Sequence, residues 1–379
     1  MITRVENINS KLINWAIIRA GHNLDEFYFN NPKIEDWVMG IKYPTLKQLE
    51  GFTHKVHVPF GYMFLDEHPK EEVPIPFFRT GKARMEKVSL NVYHTIQAIQ
   101  ERQNWLTNYL ERSDYNDLDF IDKFDINSDY KNVVSDIRRT LNLPLNWANK
   151  YYNWEQALDF LTMQIEDIGI IVTFNGIVGN NTRRKIDVGE CRGFVIVNTK
   201  APFLFVNSAD AKAAQMFTLI HEIAHIWLGK SAGFDNKQMM PANDPVEKLC
   251  DKIAAEFLVP EHLLKEKWKD IKNIQTLSRV FKVSPIVIAR RLLDLDLFTK
   301  DQFFDFYNNY MADFHRRKEK KGSGGDFYAT AKKRISLRFA SFVNNAVKEN
   351  NLLYRDAYRL TNLKGNTYDK FINEYFYQV

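Results

Sequence analysis

Phe217-Thr218-Leu219-Ile220-His221-Glu222-Ile223-Ala224-His225-Ile226-Trp227-Leu228-Gly229 is the stretch on which the fold turns. Residues four apart on a helix share a face, so the His221 and His225 imidazoles reach one metal ion. Glu222 projects about 100° round the axis from His221, which sets its carboxylate beside that ion rather than on it. Such a trio can make hydroxide from water and direct it at a carbonyl. The flanking positions are apolar on every side, which predicts a long helix buried all round. Ser208 or Asp210 is a suitable N-cap and Gly229 a suitable stop. In the plainer alternative the histidines only hydrogen-bond within a core helix. A buried Glu222 beside them is then costly.

A zinc site needs a third protein ligand and an open fourth position. Downstream, Pro245 suits a first helical turn and Pro260 an end. Between them, Glu247 and Asp251 are four apart and share a face, whereas Glu256, nine residues from Glu247, falls on the opposite side. The spacing favours Glu247 as the third ligand. It leaves Asp251 to accept a hydrogen bond from the non-ligating nitrogen of a zinc histidine.

Together, H-E-I-A-H (221–225) and E-K-L-C-D-K-I-A-A-E-F-L-V-P (247–260) resemble the ImmA/IrrE family of bacterial metallo-endopeptidases. The lead-in from Cys191 through Asn207 is similar to that family's strand-then-helix approach. The resemblance is strongest over 160–295. It implies a gluzincin-like fold, Zn²⁺ as cofactor, His221, His225 and Glu247 as ligands, and Glu222 as general base. It also implies a protein substrate of the helix-turn-helix repressor or antitoxin type, in a stress, mobile-element or defence circuit. Cys250 stands where the family more often has alanine; with Cys191 it reads as a buried small hydrophobe.

The fold class expected is α+β and mostly helical, with a small sheet beside the H-E-x-x-H helix and helical domains on either side. The 379 residues suit two or three domains, and 45% hydrophobic with 14% aromatic content describes a packed globule. No apolar run reaches the length of a membrane span, and two cysteines make no disulfide framework, so a cytoplasmic protein is expected. The segments expected are a helix-turn-helix-like domain at 1–65, a helical connector at 66–150, the metallopeptidase at 151–300, a basic flexible linker at 301–325 and a small helical domain at 326–379.

Residues 1–65 resemble a Cro/repressor-type helix-turn-helix domain, yet the expected recognition helix holds Glu35 and Asp36 against Lys33. Residues 1–78 carry 8 Lys/Arg against 10 Asp/Glu, which argues against a phosphate-neutralising surface. The positive balance lies at 300–379, with 15 against 9, where Lys332, Lys333, Arg334 and Arg338 offer a basic face to nucleic acid or an acidic protein. A DNA-binding regulator with a sensory or latent zinc domain is therefore the alternative function. Finally, Gly193, Phe194, Val195 and Ile196 are expected in an edge strand able to pair with an extended substrate. A plain core strand is the competing reading.

Overall fold

The computed structural model describes residues 4–71, 73, 75, 77–79, 88–235, 244–317 and 327–377. Two compact units emerge: one from Met1–Pro74 with Glu86–Ile96, the other from Ile75–Met85 with Gln97–Val379.

In the first unit, helices α1 (Ser10–Arg19), α2 (Leu24–Asn30), α3 (Pro32–Val38) and α4 (Leu46–Val56) surround Leu12, Ile13, Ala16, Ile17, Phe27, Leu49 and Phe52. Helix α4 opens on a capping box in which the Thr45 side chain and backbone exchange bonds with Gln48. The junction between α2 and α3 is Asn31 alone. A DNA-reading helix-turn-helix uses a turn of about three or four residues there.

The second unit begins with strand β1 (Phe77–Arg79). Helix α5 (Leu90–Arg112) starts in the first unit and continues into the second. Then come α6 (Tyr130–Thr140), α7 (Trp154–Asp167), β2 (Ile171–Phe174), the hairpin β3 (Ile177–Val178) and β4 (Asn181–Lys185), β5 (Gly193–Ile196) and β6 (Phe203–Val206). Helix α8 (Lys212–Trp227), strand β7 (Ala232–Asp235) and helix α9 (Pro245–Leu258) come next. They are followed by α10 (Glu261–Asp270), α11 (Ile274–Phe281), α12 (Pro285–Asp294), α13 (Lys300–Arg317), α14 (Phe327–Ile335), α15 (Leu337–Lys348), α16 (Tyr354–Thr361) and α17 (Asn366–Phe376). The fold is mostly helical α+β, as expected. No helix among the described residues is long and apolar enough to cross a membrane.

Helix α8 is buried from Thr218 to Trp227 because every face carries an apolar or site residue. It starts later than expected, capped by Ala211 without a side-chain bond. The reason is competition. Asp210 pairs with Arg192, and the Gln215 amide donates back to the Ser208 and Asp210 carbonyls, so neither expected cap is used. The far end stops as expected, with Gly229 in the left-handed region at φ 62°. There the Asp122 and Phe124 N–H groups donate to the Ile226 and Trp227 carbonyls, satisfying the helix terminus. The Trp227 indole donates to Asp136 of α6, whose carboxylate also holds Lys123. Residues of α6 therefore belong to the same core as α8 and α9, including Val133, Val134 and Ile137. The 66–150 segment is in this part no mere connector.

The sheet runs β1-β7-β5-β6-β2, with β5 antiparallel to both β6 and β7. Strand β5 is thus interior and buried at all four positions. The expectation that Gly193, Phe194, Val195 and Ile196 form a substrate-accepting edge is corrected: β7 returns from the end of α8 and takes that side. The linker expected at 301–325 is helical through Arg317, because Phe303, Phe306, Tyr307 and Tyr310 recur at helical spacing and pack on Ile286 and Ala289. Residues 318–325 of that linker lie outside the described residues.

Candidate metal centre

Helices α8 and α9 pack against each other, and their contact places every predicted polar residue of the site. At the start of α9, Asp244 accepts from the Val246 and Glu247 N–H groups and Pro245 occupies the first turn, so the position of Glu247 is fixed by its cap. His221 Nε2 lies 3.1 Å from Glu247 Oε2 and 3.2 Å from His225 Nε2, and His225 Nε2 lies 3.2 Å from Glu247 Oε1. Each histidine thus faces a different oxygen of the Glu247 carboxylate, and donor atoms bound at about 2.0–2.1 Å to a tetrahedral zinc stand about 3.3 Å apart, close to these separations. His221 Nδ1 sits 3.0 Å from Asp251 Oδ1. With a proton on Nδ1 donated to Asp251, the Nε2 lone pair faces inward. Glu256, excluded on helical phase, pairs instead with Arg291 on α12.

The centre is sealed. His221, Glu222 and His225 are 0% exposed and Glu247 1%. Both Glu222 oxygens and His225 Nδ1 lack a hydrogen-bond partner among the described residues. Buried polar atoms left in this way are costly unless a further ligand belongs there. Glu222 lies under β5: a Cβ placed on Gly193 would come within 3.2 Å of its Oε1.

The charges are strongly coupled. Burial by itself would depress the His221 imidazole, but hydrogen bonds to Asp251 and Glu247 outweigh it and hold the group up to about 10. Burial would lift the Glu247 carboxyl, yet His225 and His221 keep it well below the usual carboxylate range. Burial, opposed by His221 and reinforced by Glu247, pushes Glu222 well above that range. Lone pairs that hold a proton this firmly also attract a divalent cation, and a cation beside Glu222 favours its ionised form.

Spacing missed one neighbour of the histidines. Cys250 is buried, as expected of a small hydrophobe, but one donor atom each of Cys250, His221 and His225 lies within 4.8 Å of the other two. Its i, i+3 relation to Glu247 was the available signal. Behind Asp251 a cavity of about 430 Å³ opens, lined by Phe217, Lys248, Arg290 and Asp294 among others. Of the basic face expected on α14 and α15, Lys333 is paired with Asp159 and Arg334 donates to Asn180.

Residues 165–293 match the family model described as the IrrE N-terminal-like domain, a peptidase family. That segment contains α8, α9 and every residue of the centre, and the match supports a metallopeptidase-type function. Residues 335–374, within α14 to α17, match a domain of unknown function. No curated protein matches the chain.

Proposed function

We propose that the chain is a zinc-dependent endopeptidase in which His221, His225 and Glu247 hold the cation and Glu222 is the general base. The observation that carries this reading is the convergence of two imidazole Nε2 atoms and the Glu247 carboxylate, at 3.1–3.2 Å from one another, beside a buried, unpartnered carboxyl. A cation held there supplies Lewis acidity, polarising a peptide carbonyl and lowering the pKa of water toward neutrality. The remaining work falls to the side chains. Asp251 fixes the tautomer and ring orientation of His221. Glu222 takes the proton of the attacking water and delivers it to the leaving amine nitrogen. The packed walls of β5 and α8 keep bulk solvent from competing for that carboxylate.

The substrate we propose is a protein of the helix-turn-helix repressor or antitoxin kind, acted on within a stress or defence circuit. We read residues 1–65 as a helix-turn-helix relative that serves protein pairing. The acidic balance of this region and the one-residue α2–α3 junction favour that role over DNA reading.

The test is Glu222→Gln, assayed for bound zinc and for fragments of small helix-turn-helix repressors offered as substrates. Zinc content is expected to be unchanged and cleavage to fall by about 10²–10⁴-fold, the usual range for a lost general base. Full cleavage with zinc retained rules out Glu222 as the base.

A further inference from the structure

We propose that Cys250 is a ligand of the same cation, its thiolate occupying in the resting protein the position that an open hydrolytic site keeps for water. The inference rests on the metal-centre reading above and goes beyond it, because it makes the resting site closed.

Three observations carry it. Glu247 and Cys250 stand at i and i+3 on α9, and residues so spaced project from one face of a helix. A ligand atom of Cys250 lies within 4.8 Å of those of His221 and His225. A sulfur at about 2.3 Å and a nitrogen at about 2.0–2.1 Å from one tetrahedral zinc are about 3.5 Å apart, so an adjustment on the order of an ångström completes the contact. The thiol is 0% exposed, and neither it nor Cys191 is in a disulfide. The burial of the whole centre, with both Glu222 oxygens unpartnered, independently marks this pocket as one that receives a ligand.

Two imidazoles, one carboxylate and one thiolate make a four-coordinate set, which is the arrangement of structural rather than hydrolytic zinc. On binding, the Cys250 S–H bond breaks, its proton passes to solvent and the sulfur keeps the electron pair. Water enters only when this sulfur withdraws. The peptidase is therefore latent while the thiolate stays bound.

The experiment loads the full-length protein with cobalt(II) and records its absorption. A thiolate donor gives a near-ultraviolet sulfur-to-cobalt charge-transfer band besides the visible ligand-field bands. The expected result is that wild type and Cys191→Ala show both features, while Cys250→Ala keeps the visible bands and loses the charge-transfer band. Visible bands without charge transfer in the wild type overturn the proposal, with no variant required to fold. A charge-transfer band that survives in Cys250→Ala overturns it as well. A wild-type protein that binds no cobalt sinks the metal-centre reading itself, and this proposal with it.

Discussion

Replacing Gly193 by alanine tests how closely β5 lies on the helix that carries the histidines. A Cβ at this position would sit 2.4 Å from the Thr218 methyl, 2.9 Å from the Phe205 carbonyl oxygen and 3.2 Å from Glu222 Oε1. Carbon atoms pack best at about 3.5–4.0 Å, so the Thr218 methyl must retreat by about an ångström. The Phe205 carbonyl belongs to the paired strand β6 and yields less easily. Overpacking of this kind costs about 1–3 kcal/mol. Removing a strand glycine returns about 0.5–1 kcal/mol of chain entropy. A net loss of about 1–2 kcal/mol is expected in urea unfolding. Thr218 stands one turn before Glu222 on α8, so turnover should fall more than zinc affinity does. Combining Gly193→Ala with Thr218→Ser deletes the worst contact and should recover about half the loss, giving a coupling of about 1 kcal/mol. A Gly193→Ala protein as stable as wild type, or a double variant whose losses simply add, refutes the close approach.

Two other expectations can be checked directly. Asp251→Asn removes the charge that orients His221 and should weaken zinc binding about 10–100-fold in calorimetric titration; unaltered affinity would remove Asp251 from the site. Glu166, bonded to Ser336, is raised by burial from 4.5 to about 7, against the opposing Ser336 bond. Because its folded pKa exceeds its unfolded one, the stability it contributes is complete below pH 4.5 and is lost as pH rises through 7. Glu166→Gln should therefore gain about 3 kcal/mol on the wild type between about pH 4 and pH 8, and parallel stability curves would contradict the assignment.

The site was legible where helical phase alone determines geometry. His221, His225, Glu247 and Asp251 came together because two amphipathic periods fix which side chains face inward, and the acid excluded on phase, Glu256, does pair elsewhere. Features that depend on partners were not legible. Alternation identifies the faces of β5 but not its neighbours, and Ala232–Asp235 has too little strand character to announce the sheet's extension past Gly193. The basic run after Arg317 obscured the aromatic spacing of α13, which is an ordinary helical signal. For Cys250 the sequence holds position but not distance, and only the packing of α9 on α8 shows the thiol beside the imidazoles.

The Trp227–Asp136 bond bears on how this protein can be cut down for study. The segment recognised by the peptidase family begins at residue 165, yet the indole ending the histidine helix is stacked on Phe120 and tethered to a carboxylate far upstream. A fragment trimmed to the recognised borders would lay bare Trp227 and the apolar side of α8, inviting aggregation that an assay would misread as an inert enzyme. Shortened versions should therefore start ahead of Leu118.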